Sequence, residues 1–270
     1  MKAKQLLHWT LAEIRKRWQT AWSYRVTVLI DQVFFIIGFL LLSGLFESVT
    51  EDTRVLQHKL IGSLLGYLTW RVAGGCMLDL TSQMADERQW GVWSQICLTQ
   101  IGFKTLLFSR FLASFFYYTV RVVVMGVILL FLLRLTLPLN GFVFIALTAV
   151  YVWVMVGALG VSLVIIAFDL RYPGTYRVTS TIATLLLFLS GAIYSVADIS
   201  VWRTLSYVLP FGPGIELMRN LLLNPDTSID AYGLVFWIAV LNSLVYAVIG
   251  LVVVQLAYDT ARRTGQLSHI

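Results

Sequence analysis

Six stretches of about 20 apolar residues, separated by short polar segments, leave this chain few ways to fold. Each could cross a bilayer core of about 30 Å as a helix, and a backbone in lipid must satisfy its hydrogen bonds internally. The stretches run over Val26–Phe46, Leu60–Leu80, Leu112–Leu133, Phe142–Phe168, Val178–Val196 and Leu234–Ala257. Charged residues make up only 13% of the 270 and hydrophobic ones 59%, where a soluble domain carries about a quarter charged. Too little polar surface exists to cover a globule in water. The expectation is an all-α integral membrane protein with six transmembrane helices and no soluble domain.

The first 25 residues lack the early apolar core and small-residue cleavage site of a secretory signal. Leu7, Leu11, Ile14, Trp18 and Trp22 instead fall within an arc of roughly 80° on a helix advancing about 100° per residue. Lys16 and Arg17 point elsewhere, and Arg15 sits at the edge of the arc. Residues 1–25 are therefore expected to form an amphipathic interfacial helix on an anionic cytoplasmic leaflet. With the N-terminus inside, thirteen Lys and Arg fall in inner segments and five (Arg54, Lys59, Arg134, Arg203, Arg219) in outer ones. That bias places both termini in the cytoplasm, and it accounts for the net charge of +6 without nucleic acid.

Among the connections, the first outer loop (Glu47–His58) is acidic, while Pro138 with Gly141 and Pro173 with Gly174 mark tight turns. The outer stretch before the last span is different. Ser200–Leu209 and Gly214–Leu223 are apolar but only about ten residues each, interrupted by Pro210 and Pro213. They are expected to be re-entrant or interfacial helices within an outer region of about 193–223, with Tyr194, Trp202 and Tyr207 at headgroup depth. Cys76 lies in a span and Cys97 on the inner side, so one chain offers no extracellular disulfide.

Catalytic signatures are missing. The three histidines are scattered outside the spans, and neither a phosphate-binding GxxxxGK[ST] loop nor a GxGxxG turn occurs. Charges within spans are costly and are functional candidates by default. Asp31, Arg71, Asp79 and Arg121 are the ones present, with inter-helix pairing as the plainer reading of each. Gly66, Gly74, Gly75, Gly157 and Gly160 are expected to let helices approach closely. Between the second and third spans, DERQWGVWSQICLTQ (Asp86–Gln100) carries Asp86, Glu87 and Arg88 together. Trp90, Trp93, Ile96 and Cys97 follow at helical spacing, so a short surface helix over about 86–97 is expected.

Taken together, three features resemble the membrane permeases of ABC-2 type exporters. They are the basic amphipathic N-terminal helix, ERQWGVWSQICLTQIG (Glu87–Gly102) followed by LLFSRFL (Leu106–Leu112), and SGAIYSVADISVWRTLSYVLPFGPGIELMR (Ser190–Arg219). Val92 and Trp93 stand where that family often has Thr and Glu, and Gln100 replaces the usual Pro. The resemblance implies a six-span half-transporter domain over 26–270 in the inner membrane. It implies pairing with a second copy or a related permease, and docking of two cytoplasmic ATP-binding subunits that hold ATP and Mg. The chain itself would then be no enzyme and bind no cofactor. Asp86, Glu87, Arg88, Trp90, Gly91 and Trp93 would form the coupling helix; Asp31, Arg71, Arg121, Tyr194, Trp202 and Phe211 are pathway or gate candidates. The rival expectations are an ion-coupled secondary transporter or channel and, more remotely, a membrane enzyme acting on lipid.

Overall fold

The computed structural model describes residues 2–49, 53–92, 102–137, 140–172, 174–193, 200–223 and 229–263. Helices dominate them, with no strand among the described residues. In order they are α1 (Lys2–Ser23), α2 (Arg25–Val49), α3 (Thr53–Gln89), α4 (Phe103–Leu132) and α5 (Gly141–Arg171). A 3-10 turn at Thr175–Val178 leads into α6 (Thr179–Leu189), followed by α7 (Ser200–Val208), α8 (Gly212–Leu223) and α9 (Ile229–Arg263). Among the described residues, four helical segments are long and apolar enough to cross a membrane: Arg25–Gly44, Phe103–Leu132, Gly141–Arg171 and Gly233–Arg263.

α3 is the axis of the molecule. Its 37 residues reach about 55 Å at 1.5 Å per residue, well past the expected span of Leu60–Leu80 at both ends. The chain between α2 and α3 is correspondingly shorter than the loop expected over Glu47–His58. Val72, Ala73, Cys76, Met77 and Leu80 of α3 are fully buried among Leu107 and Phe111 of α4, Ala158 and Ile166 of α5, and Phe211 and Ile215. A second apolar cluster joins Phe39 of α2 to Leu60, Ile61, Leu64 and Tyr67 of α3 and Leu129 of α4. There the Tyr67 ring stacks on Phe35 at 4.1 Å and its hydroxyl donates to the Phe35 carbonyl at 3.2 Å.

The α5–α9 crossing depends on small residues. A Cβ on Gly160 would collide with the backbone of Tyr246, and one on Gly250 with the backbone of Gly160. Within lipid, helices gain little from burying apolar surface against each other, so close van der Waals contact of this kind supplies the attraction.

One expectation is corrected. Among its described residues, the fifth apolar stretch, expected as Val178–Val196, forms an α-helix only over Thr179–Leu189, about 16 Å long. Gly191 takes a left-handed φ of 68°, which turns the chain, and the turn seats on α3 where a Cβ at Gly66 would strike the Ala192 carbonyl. The two short helices expected at Ser200–Leu209 and Gly214–Leu223 are present as α7 and α8. α8 is largely buried within the bundle, Pro213, Ile215, Leu217, Met218 and Leu222 among its buried residues.

Candidate functional site

The end of α3 beside α1 concentrates the charge of this otherwise apolar molecule. Asp86, Glu87, Arg88 and Gln89 are not the start of a separate surface helix over 86–97, as the spacing suggests; they complete the last turn of α3. Gly91 stops it. With φ at 70°, Gly91 donates its N–H to the Arg88 carbonyl at 3.1 Å and Val92 to the Glu87 carbonyl at 3.0 Å. This paired closure of the final carbonyls needs a left-handed residue that glycine supplies at least cost. Residues 93–97 of the expected helix, Trp93 included, lie outside the described residues.

The four side chains around this turn divide into two pairs. Glu87 is buried, accepting from Arg110 of α4 through both oxygens, at 2.7 Å from Nη1 and 2.6 Å from Nη2. Arg88 donates to the Asp169 carboxylate and to the Asp169 carbonyl of α5, each at 2.8 Å. Charge-assisted, two-pronged bonds of this kind fix orientation as well as charge. Asp86 and Trp90 face outward instead, Trp90 with 74% of its surface exposed. α3 is thus clamped to α4 and α5 behind an outward indole.

α1 docks beside this clamp with its polar face inward. Arg17 pairs with the buried Asp79 of α3, which also accepts from Ser114 of α4 and from Gln83. Glu13 Oε1 lies 3.5 Å from Arg110 Nε, completing a chain from α1 through α4 to α3. Leu7, Leu11, Trp18 and Trp22 of the apolar arc remain exposed, the arrangement expected of a helix whose greasy side meets lipid. A cleft of about 280 Å³ opens among these helices, lined by Glu13, Lys16, Arg17, Asp79, Asp86, Glu87, Trp90 and Arg110.

A second polar cluster lies deeper. Asp31 of α2, Arg71 of α3 and Arg121 of α4, far apart in sequence, meet at one point. Both arginines donate to Asp31 Oδ2, Arg121 at 2.7 Å. Arg121 also donates to the Val28 carbonyl at 3.3 Å and to the Tyr117 hydroxyl at 3.2 Å. Of the remaining gate candidates, Phe211 is fully buried in the core, edge-on to Trp70 with ring centres 5.4 Å apart. Trp202 belongs to α7, but its side chain, like the whole of Tyr194, lies outside the described residues.

Sequence reasoning found Asp31, Arg71 and Arg121 singly but not their meeting. It missed Glu13, Arg17, Arg110 and Asp169 as partners. Asn242 of α9 was missed too; its amide donates to the carbonyls of Tyr207 at 3.0 Å and Leu209 at 2.8 Å, tying down the end of α7. A usable signal existed for Arg110 and Asp169: each stands at a span end at the depth where Glu87 and Arg88 need opposite charge.

The model of one protein family, described as ABC-2 type transporter, matches residues 4–223 of the chain. The matched stretch takes in α1 through α8 and both polar clusters. Among curated proteins, none matches the chain.

Proposed function

Because the chain belongs to the ABC-2 type transporter family, we propose that this multi-pass ABC permease exports its substrate using energy from separate ATP-binding subunits. Two permease chains, identical or related, enclose the pathway in the inner membrane, with both termini cytoplasmic. The six crossings are assigned to α2, α3, α4, α5, the segment containing α6, and α9, while α7 and α8 close the outer end. ATP and Mg stay on the partner, and this chain carries out no hydrolysis.

The observation that carries the reading is the division of labour at the end of α3. Glu87 and Arg88 lock that end to α4 and α5, while Trp90 and Asp86 project from it. A force applied at the exposed indole acts on a rigid corner shared by three long helices, not on a loose loop. Glu87 and Arg88 are therefore assigned to transmission, and Trp90 with Asp86 to contact. ATP binding shifts the permease only if its two conformations dock differently on the ATPases, and α1, bonded to the same corner, moves with it.

Co-purification with its ATP-binding partner subunit tests the reading. Trp90→Ala is expected to lose the ATPase while the permease itself stays folded, since an outward side chain contributes within about 0.5 kcal/mol to stability. Retained ATPase binding, or transport driven by an ion gradient with no ATPase present, would overturn it.

A further inference from the structure

The cluster around Asp31 is out of balance. Two guanidiniums share one carboxylate, so a positive charge is left over where α2, α3 and α4 meet. The next pair along α3, Arg17 with Asp79, is neutral and supplies no compensation. Rings flank both arginines: Arg71 lies 4.9 Å from the centre of Phe35 and 5.8 Å from Tyr118, and Arg121 lies 5.3 Å from Tyr117. Rings attract a cation but do not neutralise it. Donors remain as well. Arg121 Nε is buried with no hydrogen-bond partner, and Arg71 makes its hydrogen bond to Asp31 through Nη2.

The place is open along one edge. Asp31 keeps 45% of its side chain exposed, Arg71 19% and Arg121 11%, and Asp31 lies roughly 9 Å along α2 from Arg25, just inside the level of the interfacial helix α1. The exposed residues flanking the cluster in sequence are apolar on both helices: Ile30 and Phe34 on α2, Val120 and Val124 on α4. Charge at such a depth is rare and marks a ligand or a pathway unless it is paired, and here pairing is incomplete.

We propose that Arg71 and Arg121 form a binding site for the anionic group, a phosphate or carboxylate, of an amphiphile held in the bilayer. The guanidinium fork matches such groups, and the flanking apolar surface suits their chains. Asp31 holds the two arginines together and competes with the ligand for them. The site requires only that the chain lie in a membrane; it does not depend on coupling to an ATPase.

The test is calorimetric titration of dodecyl phosphate into the purified full chain in phosphatidylcholine nanodiscs, with inorganic phosphate as the chainless comparison. Saturable binding of dodecyl phosphate and none of inorganic phosphate is expected. Arg71→Gln should weaken it about tenfold, the loss of one charge-assisted contact, and Arg71→Lys should weaken it less. Asp31→Asn should bind as tightly as the native chain or more tightly. Nanodiscs containing phosphatidylglycerol separate the sources: competition there identifies a bilayer lipid as the occupant, and its absence identifies another anionic amphiphile, either result upholding the site. Equal affinity in Arg71→Gln, loss of binding in a folded Asp31→Asn, or equal binding of inorganic phosphate would each overturn the proposal. Should Arg71→Gln fail to fold, the Asp31→Asn result still decides.

Discussion

α3 and α5 are both long helices through the middle of the bundle, yet they are held by different physics. α5 meets α9 through glycine: Gly160 and Gly250 bring the two backbones into contact. α3 is fixed by charge instead, through Arg71 to α2, Glu87 to α4, Arg88 to α5 and Asp79 to α1. Small-residue contact is steep in distance and tolerates no added volume. Ion pairs in a dry interior are directional and can exchange partners, and removing one member leaves the other buried and uncompensated. The α5–α9 pair is thus set by shape, and α3 is pinned at four points by salt bridges.

Substitution separates the two modes. Gly160→Leu is expected to do the most damage, because a backbone stands where the side chain must go. Overpacking costs about 1–3 kcal/mol where neighbours can yield and more where they cannot; size-exclusion chromatography in detergent should show loss of the folded peak. A normal peak would mean the crossing has slack. Arg110→Ala follows, at about 3–5 kcal/mol on thermal unfolding, since the Glu87 carboxylate is left buried without its partner. Replacing both members, Glu87→Leu with Arg110→Met, should restore most of that loss; equal damage from the double variant would show that the pair does more than cancel its own charge. Gly91→Ala should be mildest, about 1 kcal/mol from the left-handed closing residue of α3, with the calorimetric midpoint shifting down slightly. No shift would place the stop signal of α3 elsewhere.

Much of this was legible in the residues. Amphipathic spacing located α1, apolar length located four of the long helices, and Pro210 and Pro213 marked the pair of short ones. Glycines such as Gly160 announced close packing because nothing else favours them within a span. What was not legible is long-range pairing. Glu87 and Arg88 look like exposed coupling charges in sequence, since their partners Arg110 and Asp169 are 23 and 81 residues away. Arg110 and Asp169 fall outside the expected spans Leu112–Leu133 and Phe142–Phe168, and the helices extend beyond those apolar blocks to include them. The end of α6 escaped as well: Val178–Val196 is apolar enough to continue, and only the turn at Gly191, seated on Gly66, shows why it does not.

The central claim is that the clamped end of α3 is the cytoplasmic corner gripped by the ATPase. Its most direct test is labelling of Val92→Cys, an exposed position two residues from Trp90, in a Cys97→Ser background, with a membrane-impermeant maleimide on inside-out vesicles. The account predicts rapid labelling after the ATPase has been stripped and strong protection when it is restored. Labelling only in right-side-out vesicles, or at the same rate with and without the ATPase, would contradict it.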